Sequence, residues 1–384
     1  MGFIQINSHL QRAVLYLGAV SSLLLIVAYG LLRHTLPSVE VIKWFIGSIL
    51  ILVYVLALLW KNLDLNRPVD GAHIQTNLGL ATQITMLRGF FFAGIAGFIL
   101  LPTGSGPILW MPGILYITAA LLDAVDGFVA RKTNFVTRLG TLLDEKLDAL
   151  GILVATGLGV TSGKLPLWYM AMGAAYYLYR IGQQWREANE KPVYDLPPDR
   201  TRSIFAGIQM GFLGVVLLPV YQPEITNTVS WAFFLPGALL FIRDWLMTSG
   251  VIAPDSNWYM QIFRTITTYS ARWILPVVRI IIFLFIAIHL THNAVRLTGS
   301  PQSVYLLLLG LSGLMVLLGI LGRLGGLGAL LLAGMVIQIS HASLILWFIG
   351  YGGVIILFFG VGKFALWRGD DWLLYGKSPE GDTD

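Results

Sequence analysis

Cysteine is absent from the 384 residues. That excludes disulfides, thiol nucleophiles and thiolate metal sites. Charge is scarce as well: 12% of residues are Asp, Glu, Lys or Arg, against 56% hydrophobic. A soluble domain of this length needs a far more polar surface. The six histidines are scattered, with no pair at metal-ligand spacing. The formal net charge of +5 is read through its distribution over loops, and no nucleic-acid partner is expected from it.

What is present is a series of apolar runs, each about the length that spans a hydrocarbon core. Twelve are expected: Ala13–Leu32, Ile42–Trp60, Ile84–Leu101, Pro107–Val125, Gly140–Val160, Leu165–Ile181, Ser203–Tyr221, Ser230–Ile252, Trp273–Leu290, Tyr305–Ile320, Leu324–Ile339 and Leu344–Leu366. The first is as long as a full span and lacks a small-residue cleavage site, so it reads as a span and not as a leader. The fold class is an all-α polytopic membrane protein. The Ser256–Tyr269 region leaves the count open by one or two, because it also reads as an interfacial helix.

Against this apolar background one stretch stands out: DAVDGFVARKTNFVTRLGTLLDEKLD, from Asp123 to Asp148. Asp123 and Asp126 are three residues apart, and Asp144 and Asp148 four apart, so each pair lies on one helical stripe. Gly127 and Ala130 share the first stripe, and Gly140 the second. Ionised groups at membrane depth are costly and usually functional. Two such stripes turned together crowd four carboxylates, which cannot all stay ionised uncompensated. Divalent cations compensate them, and hard oxygen donors suit magnesium, calcium or manganese rather than zinc. The small residues leave room for a ligand near the backbone. Arg131, Lys132 and Arg138 lie between the stripes, where they can meet phosphate oxygens.

The order Asp, two residues, Asp-Gly, two residues, Ala-Arg, eight residues, Gly, three residues, Asp, three residues, Asp is complete here. It resembles the signature of the CDP-alcohol phosphotransferases, integral membrane enzymes of phospholipid synthesis. The resemblance implies a six-helix membrane core, two bound metal ions (Mg2+ or Mn2+) and a CDP-linked donor such as CDP-diacylglycerol. It implies that an acceptor hydroxyl attacks the phosphorus next to the lipid and releases CMP. By the same resemblance Asp123, Asp126 and Asp144 are metal ligands. Asp148 corresponds to the general base and stands among the metal ligands too. Thr85 and Arg88, in ITMLRG, resemble the Thr and Arg that begin the family's first core helix. The family often has proline and asparagine before that helix, where this chain has Ala81 and Thr82. With Gly127, Ala130, Arg131 and Gly140, these two make up the expected nucleotide-binding set.

The expected domains are 1–60, a two-span addition; 61–252, the transferase-like core; and 253–384, a block of about four spans with a polar tail. The glycine-rich run in the last block faintly resembles DoxX-like four-helix membrane proteins. An acceptor such as glycerol phosphate or inositol phosphate needs extra cations, and Arg138, Arg180, Arg200 and Arg202 are the candidates. The phrase from Ala130 to Asp148 looks more like the glycerol-phosphate branch of the family than the serine branch. Loop Lys and Arg concentrate on one side, which places the site and both termini in the cytoplasm of an inner (plasma) membrane protein. A homodimer is expected from the resemblance. Two other readings compete: a transporter using the aspartates as a cation or proton path, and a scaffold whose last block engages a partner. Fixed glycine and Ala-Arg spacing beside the acids favours the enzyme.

Overall fold

The computed structural model describes residues 8–68, 71, 73–101, 106–133, 136–197, 199–253, 256–294, 300–340 and 343–367. The described residues contain thirteen α-helices and no strand. The protein is an all-helical, polytopic membrane protein. Seven helical stretches are long and apolar enough to cross a bilayer, and two shorter apolar ones, Ser303–Leu318 and Leu344–Phe359, follow the same pattern. Helices α5 (Arg138–Thr161), α6 (Met170–Ala188) and α7 (Arg200–Leu217) fall outside that set; α5 has Asp144 and Asp148 near its start, and α6 ends on Arg186 and Glu187.

The chain divides into two compact units, the first holding residues 1–178 and 209–220 and the second 179–208 and 221–384. In the first, α1 (Ser8–Leu32) and α2 (Ser38–Lys61) precede α3 (Leu80–Gly97). Helix α2 lies directly on α3. A Cβ at Gly97 would meet Ser48 Oγ at 2.5 Å, and one at Gly47 would sit 3.0 Å from the Gly97 Cα. Small residues on both sides bring the two backbones this close, as in other membrane helix pairs. Trp44 Nε1 donates to the Gly94 carbonyl at 3.0 Å across the same seam.

The polar segment between α2 and α3 is built around Asn66, which is fully buried. Its side chain donates to the carbonyls of Gln75 and Asn77, both at 3.1 Å. The next residues reach the start of α5: Pro68 pairs with Thr137, and the Arg138 amide donates to the Arg67 carbonyl at 3.0 Å. This segment therefore fixes the end of α5 that carries the acids.

Helix α4 (Trp110–Lys132) runs seven residues past the expected end of its span at Val125. The sequence predicts a connection from Gly127 onward, but Ala130, Arg131 and Lys132 are good helix formers. The Thr133 amide closes the last turn on the Val129 carbonyl at 2.9 Å. Both Asp123 and Asp126 are thus held inside a helix. Thr137 caps α5, its hydroxyl accepting from the Gly140 amide at 3.0 Å.

The second unit contains α8 (Pro223–Thr248), α9 (Asn257–Tyr269), α10 (Leu275–Ala294), α11 (Ser300–Leu318), α12 (Gly322–Ser340) and α13 (Leu344–Phe359). Helix α9 is the additional element that the Ser256–Tyr269 region suggested. It joins α10 through a π-helical stretch, Ser270–Ile274, one amide of register that opens the helix at the Ala271 carbonyl. That carbonyl accepts from the Lys363 amide at 2.6 Å.

A candidate active site of four aspartates around one arginine

Three helices of the first unit build the site. Helices α3 and α5 run parallel, as three contacts in register demonstrate. The bare Cα of Gly140 faces Thr82, that of Gly89 faces Leu147, and that of Gly151 faces Phe92. Helix α4 runs antiparallel to α3: Thr85 meets Asp126, and Phe92 meets Tyr116 further back along α4, with ring centroids 6.0 Å apart. The outcome is that the polar face of α3 looks between the two acid stripes.

Arg88 stands at the centre. Its side chain is fully buried, and its guanidinium touches all four aspartates. Nη1 is 2.7 Å from Asp123 Oδ1, 3.2 Å from Asp126 Oδ2 and 2.7 Å from Asp144 Oδ1. Nη2 donates to Asp148 Oδ1. Thr85 Oγ1 lies 2.9 Å from Asp126 Oδ2 and 3.0 Å from the Ala81 carbonyl. The carboxylates are graded in exposure. The Asp126 side chain is 6% exposed, Asp148 31%, Asp123 34% and Asp144 46%. The site is therefore a cup with Arg88 and Asp126 at its floor and Asp144 at its rim.

Oxygens of Asp123, Asp126 and Asp144 all lie within 4.8 Å of one another. Three carboxylate oxygens at that spacing form a hard donor set, the kind that takes Mg2+ or Mn2+. The residues fit a divalent cation. Two buried polar atoms of this region have no hydrogen-bond partner, Arg88 Nε and the Tyr116 hydroxyl. Tyr116 is within electrostatic reach of Asp148 and Arg88. Sequence reasoning passed over it. It stands two turns before Asp123 on the same face of α4, but inside an apolar run it reads as one more core aromatic.

The other expected residues are placed as follows. Gly140 lies in the first turn of α5, between Thr137 and Thr82. Gly127 and Ala130 extend the α4 stripe, each four residues beyond one of its aspartates, and both are half-buried. Arg131 is in the last turn of α4, and its side chain lies outside the described residues. The Arg138 side chain is exposed at the start of α5. Arg180, Arg200 and Arg202 belong to the second unit. There Arg180 donates to Gln183 at 2.9 Å, Arg200 is exposed, and Arg202 pairs with Asp244 at 2.8 Å. Asp244 also pairs with its neighbour Arg243 at 2.8 Å, the mutual compensation expected of adjacent opposite charges.

Fold and site together define a class: an all-helical membrane protein with an acidic cup built by three of its helices. Residues 78–247 match the family model described as CDP-alcohol phosphatidyltransferase, and they make up a domain of that family. The chain is 29% identical over 144 residues to choline/ethanolaminephosphotransferase 2 of Arabidopsis thaliana, covering 34% of this chain and 36% of that protein. It is 36% identical over 87 residues to phosphatidylinositol phosphate synthase of Mycolicibacterium smegmatis, covering 23% and 37%. It is 32% identical over 77 residues to CDP-diacylglycerol–glycerol-3-phosphate 3-phosphatidyltransferase of Escherichia coli K12, covering 19% and 41%. The chain thus spans less than half the length of each of these curated relatives. No solved structure matches.

Proposed function

We propose that this protein is a membrane transferase of phospholipid synthesis. It moves a phosphatidyl or related phospho-alcohol group from a CDP-linked donor to an acceptor hydroxyl and releases CMP. The observation that carries the reading is the convergence of Asp123, Asp126, Asp144 and Asp148 on one point of the cup. Names of the relatives support it: a choline/ethanolaminephosphotransferase, a phosphatidylinositol phosphate synthase and a CDP-diacylglycerol–glycerol-3-phosphate 3-phosphatidyltransferase.

Asp123, Asp126 and Asp144, with Asp148 at the edge, would hold two Mg2+ or Mn2+ ions. Bound there, the ions supply neutralising charge for a diphosphate and its leaving group. Asp148 is the base. Arg88 holds its Oδ1, so Oδ2 is the oxygen left to meet the acceptor hydroxyl. The hydroxyl proton passes to Asp148. The acceptor oxygen bonds to the phosphorus on the lipid side of the diphosphate, the bond from that phosphorus to the bridging oxygen breaks, and CMP leaves with that oxygen. Thr85, Arg88, Gly127, Ala130, Arg131 and Gly140 are the proposed nucleotide contacts, the glycines because they let a ligand approach the backbone. Arg138, Arg180 and Arg200 are the proposed contacts for an acceptor phosphate. Arg202 joins them only by releasing Asp244. The domain limits 1–60, 61–252 and 253–384, a homodimer, and a cytoplasmic site in the inner membrane complete the reading.

The test is CMP release from CDP-diacylglycerol by the full-length protein with Mg2+, set against chelator, with glycerol phosphate, inositol phosphate and serine as acceptors. Metal-dependent CMP with one preferred acceptor supports the reading. Substrate uptake into vesicles with no CMP formed moves the protein to the transporters.

A further inference from the structure

Among the described residues, the cation at the bottom of the cup is Arg88, and it stands where an ion would be held. Arg88 Nη1 lies within 3.2 Å of one oxygen on each of Asp123, Asp126 and Asp144, the three residues that form the candidate cation set. A terminal guanidinium nitrogen carries two hydrogens, yet three carboxylates crowd this one. The geometry is that of a charge enclosed by anions more than of directed hydrogen bonds. Magnesium takes carboxylate oxygens at about 2.0–2.1 Å. An ion at that distance from these oxygens and a nitrogen already among them exclude each other.

We propose that Arg88 is a built-in counter-cation: it holds the ion's place in the metal-free protein and withdraws its guanidinium from Asp123, Asp126 and Asp144 when divalent cations enter. This rests on the transferase reading of the cup. Two further observations carry it. First, among the described residues every hydrogen bond of the Arg88 side chain goes to one of the aspartates, and its buried Nε has no partner. Among the described residues no acceptor other than Asp148 holds the head group once Asp123, Asp126 and Asp144 bind an ion. Second, the charges require a substitute. Four carboxylates and one guanidinium leave a net −3, as four at −1 plus one at +1. Without Arg88 the metal-free cup would stand at −4 around a buried floor, which repels itself. With two divalent ions the four acids are already neutralised, and Arg88 becomes a surplus positive charge beside a site for phosphates. A residue that only braced the acids for the ion would weaken metal binding when removed. A place-holder does the reverse.

The experiment uses the full-length protein in nanodiscs, stripped with chelator and titrated with Mn2+, with free Mn2+ followed by electron paramagnetic resonance. Arg88→Gln keeps a polar group and removes the charge. The expected result is Mn2+ binding tighter than wild type by about tenfold, the effect of losing one competing charge at a partly solvated site. In chelator Arg88→Gln melts below wild type, and it gains more melting temperature on saturation with Mn2+. Equal or weaker Mn2+ binding by Arg88→Gln overturns the proposal while leaving the metal-dependent reading intact. A wild-type protein that binds no Mn2+ removes both. Should Arg88→Gln not fold, the wild-type structure determined with Mn2+ decides: the guanidinium outside the three carboxylates supports the proposal, and a guanidinium still among them sinks it.

Discussion

Gly151 of α5 and Phe92 of α3 touch with no side chain between them: a Cβ at Gly151 would lie 2.5 Å from the Phe92 ring. This contact sets the spacing of the two helices that carry Arg88 and Asp148. Phe92 is 1% exposed and tilted against Tyr116, so its ring has nowhere to retreat. Gly151→Ala should therefore cost about 1–3 kcal/mol by overpacking. It should also lower CMP release by pushing Asp148 away from the α4 acids. Melting temperature and turnover measured together check this. An alanine variant with wild-type melting shows that the seam is looser than the contact implies.

The acids should separate by role. Asp148→Asn keeps the shape of the side chain and loses the base, so CMP release should fall at least a hundredfold, the lower range of general-base effects. Mn2+ binding should weaken by far less than turnover does, because the other three acids remain. Asp126→Asn should lose Mn2+ binding itself, since Asp126 lies at the cup's floor and also accepts from Thr85. Chelator should abolish turnover of the wild type reversibly. Turnover left intact in Asp148→Asn would remove that residue from the chemistry.

Much of this site was legible in the sequence, because a helix converts spacing into direction. Asp123 and Asp126, or Asp144 and Asp148, can only share a face at separations of three and four. Facing of the two stripes was an expectation, and the contacts of Arg88 with all four acids bear it out. What was not legible depends on partners far away in the chain. The sequence offers Arg88 as a nucleotide contact at a helix start, but its burial against four carboxylates is not readable there, because that needs three helices to exist first. Asn66 sat in an ordinary polar segment, and only the carbonyls of Gln75 and Asn77 turn it into a buried clasp. Tyr116 was hidden by its apolar neighbours.

Arg202, one of the sequence's acceptor candidates, is paired with buried Asp244, which Arg243 also holds. Removing one partner leaves a carboxylate less satisfied than before, whereas removing both need not. Arg202→Met should melt lower than wild type, by about 1–3 kcal/mol in stability. Adding Asp244→Asn should recover part of that loss. A double variant no more stable than the single one would show that the pair is not the unit that matters. An acceptor KM raised in both variants alike would instead assign Arg202 a contact with the acceptor.

Acid should release a neighbouring clasp. Burial raises the Asp199 carboxyl, but hydrogen bonds from the Thr201 hydroxyl and amide and from Arg243 outweigh it and hold it below the ordinary carboxylate value. The Thr201 amide is 2.8 Å away and Arg243 Nη2 is 2.7 Å away. A depressed folded value means that the stabilisation is fully present above the unfolded value of about 3.9 and is lost as pH falls through the folded one. The melting difference between wild type and Asp199→Asn should be constant from neutral pH down to about 5 and shrink below about 4. A difference that grows on acidification contradicts the sign of this coupling.

The last block has a different kind of buried charge. Between Asn257 and Trp367 the sequence has no Asp or Glu, yet Arg279 is 4% exposed and Arg323 6% exposed. Backbone carbonyls serve instead of carboxylates. Arg279 donates to Val316 at 2.9 Å, to Leu317, and to Val361 and Lys363 at 3.2 and 3.3 Å. Arg323 donates to Leu357 and Phe358 at 2.8 and 3.3 Å. These are carbonyls at or just beyond the C-terminal ends of α11 and α13, where the helix leaves acceptors open and the dipole favours a cation. Arg279→Met matches the volume but strands those carbonyls, so it should lower stability by about 2–4 kcal/mol. Arg279→Lys should recover only part, since one ammonium cannot span four carbonyls in the way a guanidinium fork does. CMP release per folded molecule should stay within about twofold if the block from residue 253 onward is separate from the catalytic core, as proposed. Loss of turnover in a fully folded Arg279→Met protein would instead tie this block to the chemistry and dissolve the proposed boundary.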